Sequence, residues 1–440
     1  MFQCNRHETI DQIHDEIHKS GVHEFSLPVK VHSFSYIIGD ETKDRSVFFE
    51  EFISILDTLE ISTEFRSVTG RFGQGRKDYG AKQGQIIVTF EMHSRYYEYR
   101  FWQFPGTENR DVGFGPIQCP APPLKFCPIA KKLSSLDILI TGKKFHSTQD
   151  IYKQIGSSTL YGSKILDSSI EVFTAFYPDN YDMERYLLWA EEDKDLINNI
   201  EFIVENIVRM ENSYHSLLLP LPEFYEGLEK VHKLEQELAG KMDEINDQLE
   251  QSNTEQMKKW LRGLTSKMAE VTHVYEKLGH SISSTPTYEK INFKTIEQLK
   301  EKPLSNIKPL SEFLTRKTMF ISTDYSSFMK RIESLGKGIS DIITILRAKV
   351  DINQQEQNLK QLSNMEQSAK TQIKLQEMVE EISLIILSYY MTGLANYIFK
   401  FLEQKGVIGD SLLFTVCFIP VAFLSSYLIT KRVKRIILNK

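Results

Sequence analysis

Cysteine is scarce in this chain of 440 residues, and its four copies lie far apart in the sequence. Cys119 and Cys127 are too widely spaced for a zinc-type C-x-x-C pair, and Cys4 and Cys417 form no second pair. The opening residues, MFQCNRHETIDQIHDEI, contain no apolar run of the kind that forms a signal peptide. Because disulfides form in oxidising compartments, we expect reduced thiols and an N-terminal part that stays in the cytosol.

An excess of positive charge is also missing. The formal net charge is −6, so no overall basic field attracts nucleic acid. The sequence contains no G-x-S-x-G motif, no paired Cys/His nucleophile context and no dinucleotide-binding fingerprint. We therefore expect no nucleic-acid partner, no cofactor and none of the common enzyme classes.

A glycine-rich stretch, GRFGQGRKDYG at 70–80, invites comparison with a phosphate-binding loop. That motif requires Lys and then Ser or Thr after its last glycine, whereas Gly75 is followed by Arg76, Lys77 and Asp78. The residues that would reach the phosphates and the magnesium ion are therefore out of place. We interpret the stretch as a glycine-rich hairpin loop.

Two long uncharged runs lie near the C-terminus, at 382–399 and 411–430. A helix needs roughly 20 apolar residues to cross the hydrocarbon core of a bilayer. The alternative is a helical hairpin buried in a soluble core, but such helices normally keep a polar stripe, and neither run has one. The sequence therefore predicts two transmembrane helices, with the lipid bilayer as a partner.

The flanks of these runs predict their orientation. The connection, KFLEQKGVIGD, balances two basic residues against two acids, whereas the tail KRVKRIILNK is basic and contains no acid. Cytoplasmic flanks accumulate Lys and Arg, so we expect the tail and the large N-terminal part in the cytoplasm and the connection outside. The basic residues expected at the membrane surface are Lys431, Arg432, Lys434 and Arg435.

The first run is more polar than anchoring requires. Ser388, Thr392 and Asn396 recur every four residues and share one helix face, with Tyr389 and Gly393 beside them. Polar groups are costly in hydrocarbon, and glycine allows helices to approach closely. We therefore predict that this face packs against the second span or against the same helix of a neighbouring subunit.

The chain before these runs divides into a β-rich part and a helical part. Between about 25 and 180, runs such as VKVHSFSYII, QIIVTFEM and YYEYRFWQF alternate with the period of a strand. This pattern predicts an α+β domain built on an antiparallel sheet, then a helical bundle and stalk, then the C-terminal two-helix transmembrane hairpin. The predicted boundaries are 1–183, 184–378 and 379–440.

Within the helical part, Leu238, Met242, Ile245 and Leu249 form a short heptad run. This spacing fits packing inside one bundle and fits an intermolecular coiled coil equally well. The Gln- and Asn-rich stretch 351–381 contains no helix breaker and continues into the first apolar run. We expect it to form a stalk, and we expect a homo-oligomer held together by the stalk and the first span.

A possible metal site lies near the N-terminus. His7, Asp11, His14 and His18 fall on one stripe of a helix, and imidazole with carboxylate can bind a transition metal. However, the acid sits one position late for the zinc-protease pattern H-E-x-x-H. A solvated polar face is the simpler interpretation, and we expect no bound metal.

The stretch QNLKQLSNMEQSAKTQIKLQEMVEEISLIILSYYMTGL, at 357–394, resembles the hallmark of domain-of-unknown-function family 3422, a bacterial family of membrane-anchored proteins. EIH at 16–18 resembles an early family motif, although Lys19-Ser20-Gly21 replaces its Ala-Arg-Pro. MENSYHSLLLPLP resembles another motif, with His215 where arginine is usual. The resemblance implies a membrane anchor and no established activity. The residues that match the hallmark are Gln357, Asn358, Ser363, Met365, Gln372, Leu375, Gln376, Val379, Glu380, Ser388, Tyr389, Tyr390, Gly393 and Leu394.

The layout also resembles, more faintly, that of CorA-type magnesium channels. These combine a cytosolic α/β domain, a long stalk helix, two C-terminal spans and a basic tail. Their Gly-Met-Asn signature lies at the outer end of the first span, whereas this chain has Gly393-Leu394-Ala395-Asn396 inside the run. This departure argues against an ion-selective filter but not against a related topology.

We therefore expect a multi-pass protein of the bacterial inner membrane. Three functions remain open, in this order: a membrane-anchored scaffold or assembly protein, an oligomeric CorA-like ion channel or transporter, and an enzyme that uses the histidine stripe or an unrecognised pocket. A scaffold agrees best with the lack of catalytic motifs and with the abundant helical surface. A channel would need an oligomer, because two helices cannot enclose a pore.

Overall fold

The computed structural model describes residues 26–39, 45–68, 71–108, 112–115, 130–142, 145 and 147–438. In these ranges the strands are β1 (Val29–Ile37), β2 (Arg66–Val68), β3 (Phe72–Asp78), β4 (Gly84–Met92), β5 (Tyr96–Pro105), β6 (Lys132–Thr141), β7 (Tyr161–Ile165), β8 (Ile170–Pro178), β9 (Glu184–Trp189) and β10 (Lys302–Pro303). The α-helices are α1 (Ser46–Thr58), α2 (Thr148–Ile155), α3 (Asp193–Leu218), α4 (Leu221–Gln248), α5 (Thr254–Ile282), α6 (Thr285–Leu299), α7 (Leu310–Gln404) and α8 (Ser411–Leu438).

The described strands form one sheet in the order β10-β7-β8-β9-β6-β1-β5-β4-β3-β2. Neighbouring strands are antiparallel, except that β6 and β9 run parallel. The predicted α+β fold class is confirmed, and the runs expected as β1, β4 and β5 are strands. The parallel pair is a departure from the purely antiparallel sheet that the sequence predicts.

Helices cover both faces of the sheet. On one face, α3 buries Ile200, Ile203 and Ile207 against strand residues such as Val31 and Ile138. Leu310 and Leu314, at the start of α7, join the same core. On the other face, α1 packs over the β5-β4-β3 side and α2 packs over β8 and β9. The sheet is therefore buried on both sides, which explains why several strands have few exposed positions.

Strand β9 extends the sheet past the predicted boundary at 183/184. Its sequence, ERYLLW, is nearly all buried because it lies between β6 and β8 and under α3. A short apolar run of this kind cannot be told from the first turns of a helix by periodicity alone. The adjoining α3 does have helical periodicity, so the sequence predicts a single helix where the structure has β9 followed by α3.

The glycine-rich stretch is mainly a strand, not a loop. Gly73 and Gly75 lie in β3, where α1 packs directly on the strand. A Cβ at Gly73 would lie 2.3 Å from Phe52 Cε1, and one at Gly75 would lie 2.5 Å from Leu56 Cδ2. These glycines therefore permit close helix–strand packing and do not cradle a phosphate.

By its internal packing the chain forms two compact units, one of 1–247 with 264–340 and one of 248–263 with 341–440. These limits differ from the three predicted domains. Helix α7 belongs to both units and has no break from Leu310 to Gln404, as expected for the stretch 351–381. In the heptad run, Leu238 and Ile245 are buried within the chain whereas Met242 is 36% exposed, which favours intramolecular packing.

Candidate functional site

The C-terminal third of α3 carries buried polar side chains where its earlier turns carry apolar ones. Glu211 and Asn212 are both 0% exposed, and Ser213 is 4% exposed. Acidic side chains are almost never fully buried unless they are paired. The partners of Glu211 and Asn212 therefore define the candidate site, which lies in the first unit over the sheet.

The first group of partners, the Glu98 cluster, consists of Glu91, His93, Glu98, Arg100 and Asn212. It forms because β4 and β5 pair with Glu91 opposite Glu98. The Arg100 guanidinium forms an ion pair with Glu98 and lies 3.7 Å from Glu91 Oε2. His93 Nε2 is 3.8 Å from a carboxylate oxygen of each glutamate, and Asn212 Nδ2 donates to Glu98 Oε2 at 3.1 Å. One buried carboxylate thus receives a cation and an amide donor.

In the Glu98 cluster, the buried carboxylate charge is compensated by a neighbouring cation. Burial alone would raise the pKa of Glu98, but Arg100 and His93 outweigh burial and lower that pKa to about 2. Burial would lower the pKa of His93, but the two carboxylates outweigh it and raise the pKa. Because Arg100 already supplies the compensating cation, this cluster has a structural role.

The second group, the Glu211 cluster, consists of Glu184, Tyr186, Glu211 and His215. Glu184 and Tyr186 alternate along β9 on the face under α3, and Glu211 and His215 lie one helical turn apart. The Tyr186 hydroxyl donates to Glu211 Oε1. His215 Nδ1 contacts the Glu211 carbonyl oxygen at 2.9 Å, and His215 Nε2 is 3.2 Å from Glu184 Oε1. Two carboxylates and one imidazole therefore converge.

The Glu211 cluster differs from the Glu98 cluster in its charges. Among the described residues, its two carboxylates face one histidine and no arginine or lysine. Glu184 is 8% exposed and Glu211 is 0% exposed, and one oxygen of each, Oε2, has no hydrogen-bond partner among the described residues. Burial and the neighbouring Glu184 raise the pKa of Glu211 well above its ordinary value. Burial would lower the pKa of His215, but Glu184 and Glu211 outweigh it and raise that pKa to about 9. With all three groups deprotonated the cluster would carry two negative charges, so it attracts protons or a cation.

An irregularity in the sheet lies beside the Glu211 cluster. The β8–β9 register shifts between the Thr174–Tyr186 pair and the Pro178–Glu184 pair. Phe176 lies in the intervening bulge with φ 50°, a conformation that side-chain-bearing residues rarely adopt. The bulge re-aims the end of β8 next to Glu184, as bulges do near functional sites.

A cleft of about 280 Å³ opens next to the Glu98 cluster. Tyr96, on its wall, lies next to Asn212, and Ser216 of α3 also lines it. Polar groups from α4, α5 and the β4–β5 connection complete the lining, among them Glu223, Ser281 and Arg95. The cleft therefore connects solvent to the polar end of α3.

A third buried polar group, on the opposite face of the sheet, makes several hydrogen bonds to the 112–115 segment. Lys30 Nζ donates to the Gly113 and Gly115 carbonyls at 3.0 and 2.6 Å, and Gly115 N donates to Asp137 Oδ2 at 2.8 Å. His32 Nε2 lies 2.9 Å from Gly115 O, and its Nδ1 lies 3.3 Å from Gln103 Nε2. This group fastens the 112–115 segment to the sheet.

The residues that the sequence analysis singled out fall elsewhere. His7, Asp11, His14 and His18 lie outside the described residues. In the second unit, Ser388 is 8% exposed, and Asn396 Oδ1 accepts a hydrogen bond from Thr415 of α8 at 3.2 Å. Thr392 donates to the Ser388 carbonyl, whereas Tyr389 is 76% exposed and a Cβ at Gly393 would meet nothing within 4 Å. The structure therefore divides the predicted packing face between a side that meets α8 and an exposed side.

The basic tail is a continuation of α8, which extends to Leu438. Lys431, Arg432 and Lys434 are exposed, and Lys434 Nζ donates to Glu380 Oε2 of α7 at 2.7 Å. The Lys431 ammonium lies 5.6 Å from the centre of the Tyr427 ring. The side chain of Arg435 lies outside the described structure. The basic residues thus follow directly from the apolar part of the helix.

Sequence reasoning did not find the Glu211 cluster. Glu211 and His215 stand out in the sequence only within the motif MENSYHSLLLPLP, and the predicted helical part begins at Glu184. One signal was present: a Glu and a His four residues apart on the apolar face of an amphipathic helix. The strand that supplies Glu184 can be identified only from the sheet.

The chain was compared with known families, curated proteins and solved structures. No curated protein and no solved structure matches it. The pattern of a family described as "Protein of unknown function (DUF3422)" matches residues 5–437. Since this match covers nearly the whole chain, the predicted family is confirmed: the chain belongs to the family of proteins of unknown function DUF3422.

Proposed function

We propose that the protein is a membrane-anchored scaffold whose C-terminal hairpin, the apolar end of α7 together with α8, crosses the lipid bilayer. The observation that carries this proposal is the apolar and largely exposed surface of that hairpin. Among the described residues, two helices are long and apolar enough to span a membrane, and only 11% of the apolar window of each is buried. A core helix of a soluble protein would instead be mostly buried.

The arrangement of side chains in the hairpin supports the proposal. Small and polar residues such as Ser388, Ala422 and Ser426 lie between the helices, with 8%, 0% and 0% exposure. Large apolar residues point outward, for example Leu394 at 66% and Leu424 at 60% exposure. Close packing through small residues with apolar residues outside is the pattern of helices in lipid. In water, an apolar surface of this extent would aggregate.

Membrane extraction tests the anchor. We expect the full-length protein to stay with membranes after an alkaline carbonate wash. The double substitution Leu394→Arg with Leu424→Arg should release or mislocalise it, because arginine is costly at the centre of a bilayer. Tyr177→Arg, at an exposed aromatic residue of the sheet unit, is the control and should change nothing. A wild-type protein that enters the supernatant and stays monodisperse without detergent would refute the anchor.

A scaffold also needs a surface for association, and the stalk part of α7 supplies one. Every residue from 354 to 379 is exposed. Ile352, Leu359 and Ile373 are separated by multiples of seven residues and are 49%, 66% and 57% exposed. Apolar residues at heptad spacing form the seam of a coiled coil. We therefore propose that the stalk pairs with the stalk of a second copy of this chain.

We further propose that the protein lies in the bacterial inner membrane with both termini in the cytoplasm. Basic residues follow the apolar part of α8, whereas Lys405 and Asp410 of the connection offset each other in charge. Positive charge collects on the cytoplasmic side of membrane proteins. The sheet unit would then present its surface to cytoplasmic partners.

An ion pathway is the second candidate. The observation that favours it is the outward direction of Tyr389, Tyr390 and Tyr397, which are 76%, 64% and 73% exposed on the first apolar helix. Hydroxyl groups at membrane depth need a polar neighbour or a water-filled cavity. Cation flux into proteoliposomes that contain the purified protein separates this candidate from a scaffold, which would carry none.

A further inference from the structure

The Glu211 cluster has the composition of a metal site, and this inference is independent of the membrane anchor. The donor atoms of Glu184, Glu211 and His215 all lie within 4.8 Å of one another. Imidazole with carboxylate suits divalent transition metals such as Zn²⁺, Mn²⁺ and Fe²⁺. Three protein ligands leave a coordination position open for water or a substrate.

The groups around the three donors are arranged as outer-shell partners of metal ligands usually are. A metal-bound histidine commonly donates its second ring N–H to a carbonyl, and its carboxylate neighbours are themselves hydrogen-bonded. Here the Glu211 carbonyl can only accept, so His215 Nδ1 is the donor over 2.9 Å. His215 Nε2 is thereby directed toward Glu184, while the Tyr186 hydroxyl donates to Glu211 Oε1.

A metal ion would take the place of the proton that His215 otherwise holds toward Glu184. With a neutral imidazole, Nε2 would present a lone pair to the Glu184 oxygen 3.2 Å away, which is repulsive unless a proton or a metal ion lies between them. The Oε2 atoms of Glu184 and Glu211 are buried and have no hydrogen-bond partner among the described residues. A divalent ion would neutralise both carboxylates at once and would use these two oxygens.

The neighbouring Glu98 cluster provides an internal comparison. Glu91, His93 and Glu98 also have donor atoms within 4.8 Å of one another. There, however, Arg100 forms an ion pair with Glu98 and lies 3.7 Å from Glu91, so a metal would have to displace a guanidinium. Among the described residues, no lysine or arginine forms an ion pair with Glu184 or Glu211.

We propose that Glu184, Glu211 and His215 bind one divalent transition-metal ion, with Tyr186 as a positioning residue for Glu211. His215 is the entry side, since its side chain is 23% exposed whereas that of Glu211 is 0% exposed. The open position would face this side and admit a small oxygen ligand.

The test uses the full chain, purified in detergent and stripped with a chelator, then dialysed against Zn²⁺ or Mn²⁺ and analysed for metal by mass spectrometry. We expect one equivalent of metal per chain. His215→Ala should lose it, and Tyr186→Phe should weaken the affinity by roughly 10–100-fold, the usual effect of an outer-shell change. His93→Ala, in the Glu98 cluster, is the matched control and should retain the metal.

A second variant separates metal binding from a plain ion pair. His215→Arg keeps a positive charge between the two carboxylates but cannot ligate a metal. We expect this variant to fold with a melting temperature unaffected by added metal, whereas the wild type should gain stability on adding Zn²⁺ or Mn²⁺. If the wild type binds less than a tenth of an equivalent of either metal and melts like His215→Arg, the cluster is a protonated ion pair and the proposal is overturned.

Discussion

At the scale of single residues, the buried histidines differ in the protonation state that their surroundings favour. His32 is 0% exposed, and both ring nitrogens are occupied: Nε2 donates to the Gly115 carbonyl and Nδ1 accepts from the Gln103 amide. Burial and then the charge of Lys30 lower the pKa of His32 to about 3, so it stays neutral at physiological pH. His215, by contrast, faces two carboxylates. The surroundings of His32 therefore favour a neutral ring, whereas those of His215 favour a proton or another cation on the ring.

The low pKa of His32 makes stability depend on pH. Its pKa is about 6.5 in the unfolded chain and about 3 in the folded protein, so the unfolded state binds more protons between these values. The stability that neutral His32 provides is therefore present above pH 6.5 and decreases as the pH falls toward 3, by about 2 kcal/mol between pH 7 and 5. His32→Gln should be destabilising at pH 7, and this penalty should shrink by about that amount at pH 5.

Urea unfolding of the full chain in detergent, followed by tryptophan fluorescence, measures this difference. Asp137, in contact with His32, has the opposite effect in part of the same range, because burial raises its pKa to about 6 and its stability contribution grows on acidification. Comparing the variant with the wild type at each pH cancels most of that contribution. A penalty that is the same at both pH values would mean that His32 does not titrate between the two states.

Only part of the candidate site can be predicted from the sequence. The spacing of Glu211 and His215 puts them on the apolar face of α3, and helical periodicity predicts that much. Glu184 reaches the same point only because β9 pairs with β6 and β8, which is a long-range choice of partner. The predicted stripe His7–His18 lies outside the described residues, so its role stays a prediction.

At the scale of elements, the local sequence pattern predicts the strands in which apolar and polar residues alternate, and it predicts the long helices. β1, β4 and β5 follow the period of two, and the long helix through 351–381 follows from the lack of a breaker. Among the strands that the sequence did not predict, β3 and β9 lack an alternating pattern for physical reasons. β3 contains glycines where α1 presses on it, and β9 is buried on both faces, so neither alternates.

The contact between α1 and β3 gives a prediction. Gly73→Ala should lower the free energy of unfolding by roughly 1–3 kcal/mol, because the added methyl group would collide with the buried Phe52 ring. Gly338→Ala is the matched control, since a Cβ there meets nothing within 4 Å and the site lies inside α7. Alanine should stabilise that helix by roughly 0.5–1 kcal/mol. Chemical denaturation in detergent reports both, and equal effects of the two substitutions would contradict the close packing.

The stalk gives a second prediction at this scale. Leu359→Lys places a charge in the proposed heptad seam and should shift the protein toward monomer. Leu375→Lys introduces the same residue two positions after Ile373, off the seam, and should leave the mass unchanged; the two leucines are 66% and 55% exposed. Light scattering coupled to size exclusion gives the protein mass in detergent. A wild-type monomer at every concentration would exclude stalk pairing and the oligomeric ion pathway together.

At the scale of the whole molecule, the proposed topology can be read from outside the cell. In a variant whose native cysteines are replaced, Gly406→Cys lies in the exposed connection between α7 and α8, and Lys431→Cys lies in the basic part of α8. An impermeant thiol reagent added to intact cells should modify the first and not the second, because the connection is proposed to lie outside. Modification of Lys431→Cys alone would reverse the orientation and place the sheet unit on the other side.

The central position of β1 has a consequence for how the sheet opens. Hairpins on either side form between residues close in sequence, such as Ile165 with Ile170, whereas β1 pairs Val29 with Ile140 and Ile37 with Tyr96. Bringing such distant segments together costs loop-closure entropy, so we expect the pairing of β1 with its neighbours to form late in folding. The amides of β1 should accordingly exchange with deuterium only when the whole sheet unfolds, while those of the edge strands β2 and β10 exchange through local fraying.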